Sequence, residues 1–199
     1  MLFEKFNQSS SSLYDLRFLV MCFLGFAGFF RIQELLSVQL KNVLFTNSHI
    51  EITLEKSKCD QHRDGQIVFI SKIDSQYCPV RLLLKFLTAC KIDYKVDSSF
   101  FVIPRLFKAK KGYSASKTLG ISYSRAREIF LEKLNECNIP SNKYGLHSLR
   151  SGGASAASSS GVDERLISKH GRWKSDVSKN GYIKDSLDKR LKISKSLNL

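Results

Sequence analysis

The chain has 199 residues, 43% of them hydrophobic, which is enough to bury one domain core, and its formal net charge is +14. The charge is lopsided: residues 1–100 carry 12 Lys+Arg against 10 Asp+Glu, and residues 101–199 carry 20 against 8, so the second half is suited to a polyanion, nucleic acid first. The cysteines (Cys22, Cys59, Cys78, Cys90 and Cys137) are odd in number and never spaced Cys-x-x-Cys, which argues against a zinc site or disulfide framework and for a reducing intracellular compartment. The apolar run over 18–30 is shorter than the roughly 20 residues a bilayer requires, and no small-residue cleavage site follows it, so a buried helix is expected rather than a membrane span or signal sequence.

Residues 1–12 end in four serines and are expected to be a flexible N-terminal segment that caps the helix after it. That helix should run over about 13–29. A second, from about Ile32, should turn Leu35, Leu36 and Leu40 inward. Strict alternation over 49–54 predicts a strand, and 66–70 its partner, joined by a polar loop over 56–65. Helices are expected at about 78–89 and 122–137. Between them, 100–103 reads as a short strand and the lysine cluster 108–111 as a loop. Pro140 interrupts the chain, and helices follow at about 148–159, 162–168 and 175–183. A final amphipathic helix is expected over 185–199. No internal repeat is present. The fold class is α+β, mainly helical, with a small antiparallel β-sheet.

The segment Gly145-Leu146-His147-Ser148-Leu149-Arg150 sets His147 and Arg150 on one helix turn. His170-Gly171-Arg172-Trp173 follows, and Tyr182 stands nine residues after Trp173. These groups can surround one phosphodiester. Arg150 would hold phosphate oxygens with a planar, permanently charged fork. His147 would transfer a proton, and the Tyr182 hydroxyl would attack phosphorus. The small residues over 151–161 permit close helix packing and lack the pattern of a phosphate-binding glycine loop.

This order and spacing resemble the tyrosine recombinase (phage integrase) family, with a Cre-like active site. Ser-Lys-Cys-Asp-Gln at 57–61 and His-Gly-Arg-Trp-Lys-Ser at 170–175 are similar to recombinases of eukaryotic DIRS-like or Crypton mobile elements. The likeness runs from about Leu13 to the C-terminus and is strongest over 145–186. It implies a tyrosine recombinase catalytic domain over 13–199, with 185–199 as a C-terminal exchange helix and the N-terminal core-binding domain absent.

The resemblance implies DNA cleavage and rejoining through a 3′-phosphotyrosine, without metal or cofactor. Arg31 would be the first catalytic arginine, with Glu34 holding it or His147 in place. Lys58 on the β-hairpin would be the general acid, with Lys56 as competitor. Trp173 takes the place where many relatives carry histidine, as an indole N–H donor. His170 is the rival for that place and is otherwise a supporting residue. Arg105, Lys108, Lys110, Lys111, Lys117, Arg125 and Arg127 are expected along the DNA backbone, with Lys56, Arg172 and Lys174 as further DNA-binding residues. The expected partner is double-stranded DNA, bound by a monomer that assembles into a homotetramer on two duplexes. The expected location is intracellular, nuclear in a eukaryotic host. A catalytically inactive DNA-binding relic and a type IB topoisomerase-like strand transferase are the alternatives.

Overall fold

The computed structural model describes residues 2–8, 10–54, 66–185 and 187–197. Lys56 and Lys58, together with Cys59, lie outside the described residues.

Where the N-terminal segment is expected to be flexible, α1 (Leu2–Phe6) forms instead and buries Phe3 and Phe6 against the next helix. That helix, α2 (Leu13–Ala27), begins in a capping box: the Ser12 hydroxyl accepts the Asp15 N–H, and the Asp15 carboxylate accepts the Ser12 N–H. Ten of its 15 residues are buried, which is why its sequence is apolar all round rather than striped. α3 (Ile32–Ser37) follows after a tight turn and buries Leu35 and Leu36.

Three antiparallel strands come next: β1 (Val43–Phe45), β2 (His49–Leu54) and β3 (Gln66–Ser71), in that spatial order. Ile50 pairs with Ile70 and Ile52 with Val68, so the alternating apolar positions share one buried face. α4 (Pro79–Ala89), with proline at its first position, and α5 (Tyr123–Glu136), capped by Ser122, complete the main core. Between them lies a hairpin, β4 (Pro104–Ala109) and β5 (Gly112–Gly120), which forms a second sheet. Residues 100–103 contribute only an isolated bridge, from Phe101 to Gln39. The lysine cluster is thus the tip of a hairpin rather than a free loop, and Gly112 at φ 88° makes the turn. Tyr113 stacks on Tyr14 of α2, with ring centroids 5.4 Å apart, and so docks the hairpin on the core.

The C-terminal third carries α6 (His147–Ser159), α7 (Glu164–Gly171), α8 (Asp176–Asn180) and α9 (Leu187–Lys195). α6 packs along α2 through its small residues: a Cβ on Gly153 would collide with the Phe26 carbonyl and the Phe29 ring. A separate small cluster of Phe29, Ala154 and Ile167, flanked by Trp173 and Ile183, fills the space beneath the C-terminal motif residues. α8 is shorter than its sequence suggests, so Tyr182 sits in the turn that follows it. Among the described residues no helix is long and apolar enough to cross a membrane.

Candidate active site

The site is built on the C-terminal end of α2. A helix C-terminus leaves carbonyls without intrahelical partners and carries a partial negative charge. Here Phe29 adopts a left-handed backbone (φ 46°) and turns the chain sharply, leaving the carbonyls of Ala27, Gly28 and Phe29 to be satisfied from elsewhere. The C-terminal third supplies the donors. His170 Nε2–H donates to Ala27 O at 2.8 Å. Arg172 donates to Gly28 O at 3.1 Å and to Phe29 O at 3.0 Å. Arg150 donates to Phe29 O through one terminal nitrogen and to Gly171 O, at 2.6 Å, through the other.

Arg150 is only 1% exposed. Its guanidinium lies 4.4 Å from the Trp173 ring centroid and 5.0 Å from that of Tyr182, and the two rings are 5.4 Å apart. The fork assigned from sequence to phosphate oxygens is thus engaged with main-chain carbonyls. Its Nε–H, like the indole N–H of Trp173, is buried without a partner among the described residues, and both are donors suited to an anionic oxygen. Gly171 allows the packing, since a Cβ there would run into the Trp173 ring.

Arg31 lies at the rim, its side chain 54% exposed, at the start of α3. Glu34 ties it down: one carboxylate oxygen accepts Arg31 NH1 at 2.7 Å, and the other accepts the Arg31 backbone N–H at 2.9 Å. The second oxygen also accepts Arg172 NH2 at 2.9 Å. Burial alone would push the Glu34 carboxyl up, but Arg172 and Arg31 together hold it below the usual carboxylate range. Three guanidinium groups thus crowd one carboxylate. Burial, then the charges of Arg172 and Arg31, lowers Arg150 to about 10. Burial likewise lowers Arg172, although Glu34 opposes the shift. A site with this surplus of fixed positive charge is built for an anion.

Tyr182 is half-buried, and its backbone is fastened to α6. Ser151 Oγ donates to the Tyr182 carbonyl at 2.6 Å, Ser155 Oγ does so at 3.4 Å, and Ser155 accepts the Lys184 N–H at 2.9 Å. Sequence reasoning missed these serines. Their signal was the four-residue spacing, which puts both on the helix face that begins with His147. His147 opens α6 one turn before Arg150 and is exposed.

The structure therefore brings together Arg31, Glu34, Arg150, His170, Arg172, Trp173 and Tyr182. Arg172, expected on DNA, is instead buried behind Glu34, because it caps the end of α2. Lys174 is exposed beside the site. Arg105, Lys108, Lys110 and Lys111 are exposed on the β4–β5 hairpin, with Arg105 lying against the Phe107 ring. Lys117, on β5, is exposed as well. Arg127 is exposed on α5, where Arg125 is paired with Glu128 and bonded to Tyr14. No group of three metal-ligating side chains occurs among the described residues.

The fold is that of tyrosine recombinase/integrase catalytic domains. No protein-family model matches the chain. It is similar to an integrase/recombinase XerD homolog of Selenomonas ruminantium, 28% identical over 172 residues, which are 86% of this chain and 48% of the relative. The chain thus spans about half the length of that curated relative. Among solved structures it matches XerH site-specific recombinase in a post-cleavage complex with difH substrate, at TM-score 0.68 and 16% identity over 98% of this chain and 49% of that one. XerA recombinase matches at TM-score 0.63 and 16% identity over 93% and 59%. A Flpe–Holliday junction complex matches at 0.58 and 15% over 87% and 43%.

Proposed function

We propose that the chain is the strand-transferring part of a site-specific DNA recombinase. The observation that carries this reading is the stack of Tyr182 and Trp173 on the buried guanidinium of Arg150, beside Arg31 and Glu34, in a fold shared with recombinases solved on DNA. The Tyr182 oxygen would attack the scissile phosphorus. The new bond to tyrosine forms as the bond to the 5′-oxygen breaks, giving a 3′-phosphotyrosine and a 5′-hydroxyl.

The phenolic proton passes to a base, for which exposed His147 at the start of α6 is the candidate. The leaving oxygen takes a proton from an acid, for which Lys58 is the candidate and Lys56 the alternate. Arg31 and the Arg150 charge stabilise the five-coordinate transition state, each such donor contributing about 3 kcal/mol. The energy of the broken bond is retained in the phosphotyrosine, so religation consumes no nucleotide, and the arginines supply the positive charge a metal would otherwise provide.

The partner is duplex DNA, and the basic hairpin would follow its backbone. α9 leaves Leu187 and Leu191 exposed, 68% and 40%, rather than folding back to bury them, which favours docking on a neighbouring subunit in a tetramer on two duplexes. In a eukaryotic host the protein would act in the nucleus.

The test is a nicked duplex whose cleaved 5′ fragment diffuses away, incubated with protein in excess EDTA. The expected result is a covalent protein–DNA adduct that Tyr182→Phe abolishes while duplex binding persists. An adduct that survives Tyr182→Phe, or one that needs added Mg²⁺, overturns the reading.

A further inference from the structure

Arg172 follows α7 at φ 60°, a left-handed backbone that side-chain-bearing residues rarely adopt. Its side chain is 3% exposed, so it does not reach solvent or a duplex. Yet among the described residues it is the one side chain that touches the supports of both site arginines. NH2 donates at once to Glu34 Oε2, at 2.9 Å, and to Phe29 O, at 3.0 Å. Glu34 is what grips Arg31, by side chain and backbone. Phe29 O is what Arg150 NH1 bonds. NH1 donates to Gly28 O and to His170 O, at 3.1 and 2.9 Å, and anchors the fork to both flanking segments.

We propose that Arg172 is a positioning residue that fixes the placement of Arg31 through Glu34 and of Arg150 through the shared Phe29 carbonyl. The proposal rests on the strand-transfer reading, because it assigns both arginines to one anionic oxygen-bearing group. The guanidinium shape matters. Four acceptors on three chain segments are met by one planar fork, a geometry a lysine ammonium cannot span.

The test is single-turnover adduct formation on the nicked duplex, with either an ordinary scissile phosphate or a methylphosphonate, which lacks the negative charge that the arginines stabilise. Arg172→Gln is expected to slow the phosphate reaction at least about tenfold, with duplex affinity retained, since misplaced donors lose transition-state stabilisation. The defect should largely vanish on methylphosphonate. A purely structural role would slow both substrates alike, and that result overturns the proposal. Arg172→Lys should recover only part of the rate. The double variant Arg172→Gln with Glu34→Gln should be no slower than the worse single one, because both act on one network. Additive losses would refute the coupling, as would wild-type rates in Arg172→Lys, which also serves if Arg172→Gln does not fold.

A second arm separates this claim from the reaction itself. Trp173 is the only tryptophan, so its fluorescence can report orthovanadate binding. If the wild-type chain forms no adduct but Arg172→Gln weakens vanadate binding, the strand-transfer reading fails and the positioning role stands. If the adduct forms and both readouts of Arg172→Gln match wild type, the positioning role fails alone.

Discussion

The two basic regions of this molecule carry like charges under opposite conditions. At the end of α2, Arg150 and Arg172 are buried, and their terminal nitrogens are committed to helix-terminal carbonyls, Gly171 O, His170 O and Glu34. On the β4–β5 hairpin, Arg105, Lys108, Lys110 and Lys111 stand in solvent. The first set is part of the architecture: its charge is fixed in direction and poorly screened, so it can act on one phosphorus. The second set is screened and mobile in its side chains, so it suits a backbone of many phosphates read at low resolution. Net charge alone does not distinguish them. Burial and hydrogen-bond partners do.

The sharpest way to break this contrast is to remove Arg150. Arg150→Gln should abolish adduct formation and orphan the Gly171 carbonyl, while Phe29 O keeps its Arg172 bond, at about 1–3 kcal/mol for the buried acceptor, read as a lower urea midpoint. Unchanged stability would mean the carbonyl bonds are incidental. A smaller effect comes from His170. Burial chiefly, with Arg172 and Arg150 adding to it and the Ala27 bond opposing, holds its pKa below the ordinary value of 6.5. The unfolded chain therefore takes up the proton first. Stability should be full above about pH 6.5 and decline as pH falls below it, and His170→Asn should remove that part of the decline. Urea titrations from pH 8 to 5 check the sign. The smallest effect on the fold should come from the hairpin. Lys108, Lys110 and Lys111 changed together to Gln should leave stability within about 0.5 kcal/mol. Duplex affinity should weaken, and the log–log salt dependence should flatten by about 0.9 for each phosphate the variant no longer neutralises. A weakening of affinity that salt does not modulate would place these lysines in the rigid class.

Much of this architecture is legible in the amino-acid sequence alone. α2, β2, β3, α4 and α5 follow from apolar periodicity and caps, and the grouping of Arg31, Glu34, Arg150, Trp173 and Tyr182 follows from spacing and resemblance. The misses share a cause. β1 is three residues long, too short for alternation to register. The β4–β5 hairpin is held by Tyr113 stacking on Tyr14, a residue far away in sequence, while its own residues are lysine-rich and small. Phe3 and Phe6 look like isolated aromatics in a polar terminus until the core provides a surface for them. Arg172 reads as one more cation beside Lys174. Only the orphan carbonyls of Gly28 and Phe29, created by a left-handed turn that periodicity cannot signal, reveal why it is buried.

The central claim is that one chain assembles its own site: Tyr182 is fastened to α6 by Ser151 and Ser155 and rests on the Arg150 of the same α6. The most direct measurement mixes Arg31→Gln protein, which keeps its tyrosine, with Tyr182→Phe protein, which keeps its arginines, on the nicked duplex. If each tyrosine serves only its own pocket, the mixture forms no more adduct than the two variants separately. Restoration of the adduct in the mixture, with the DNA attached to the Arg31→Gln chain, would show delivery between subunits and contradict the account.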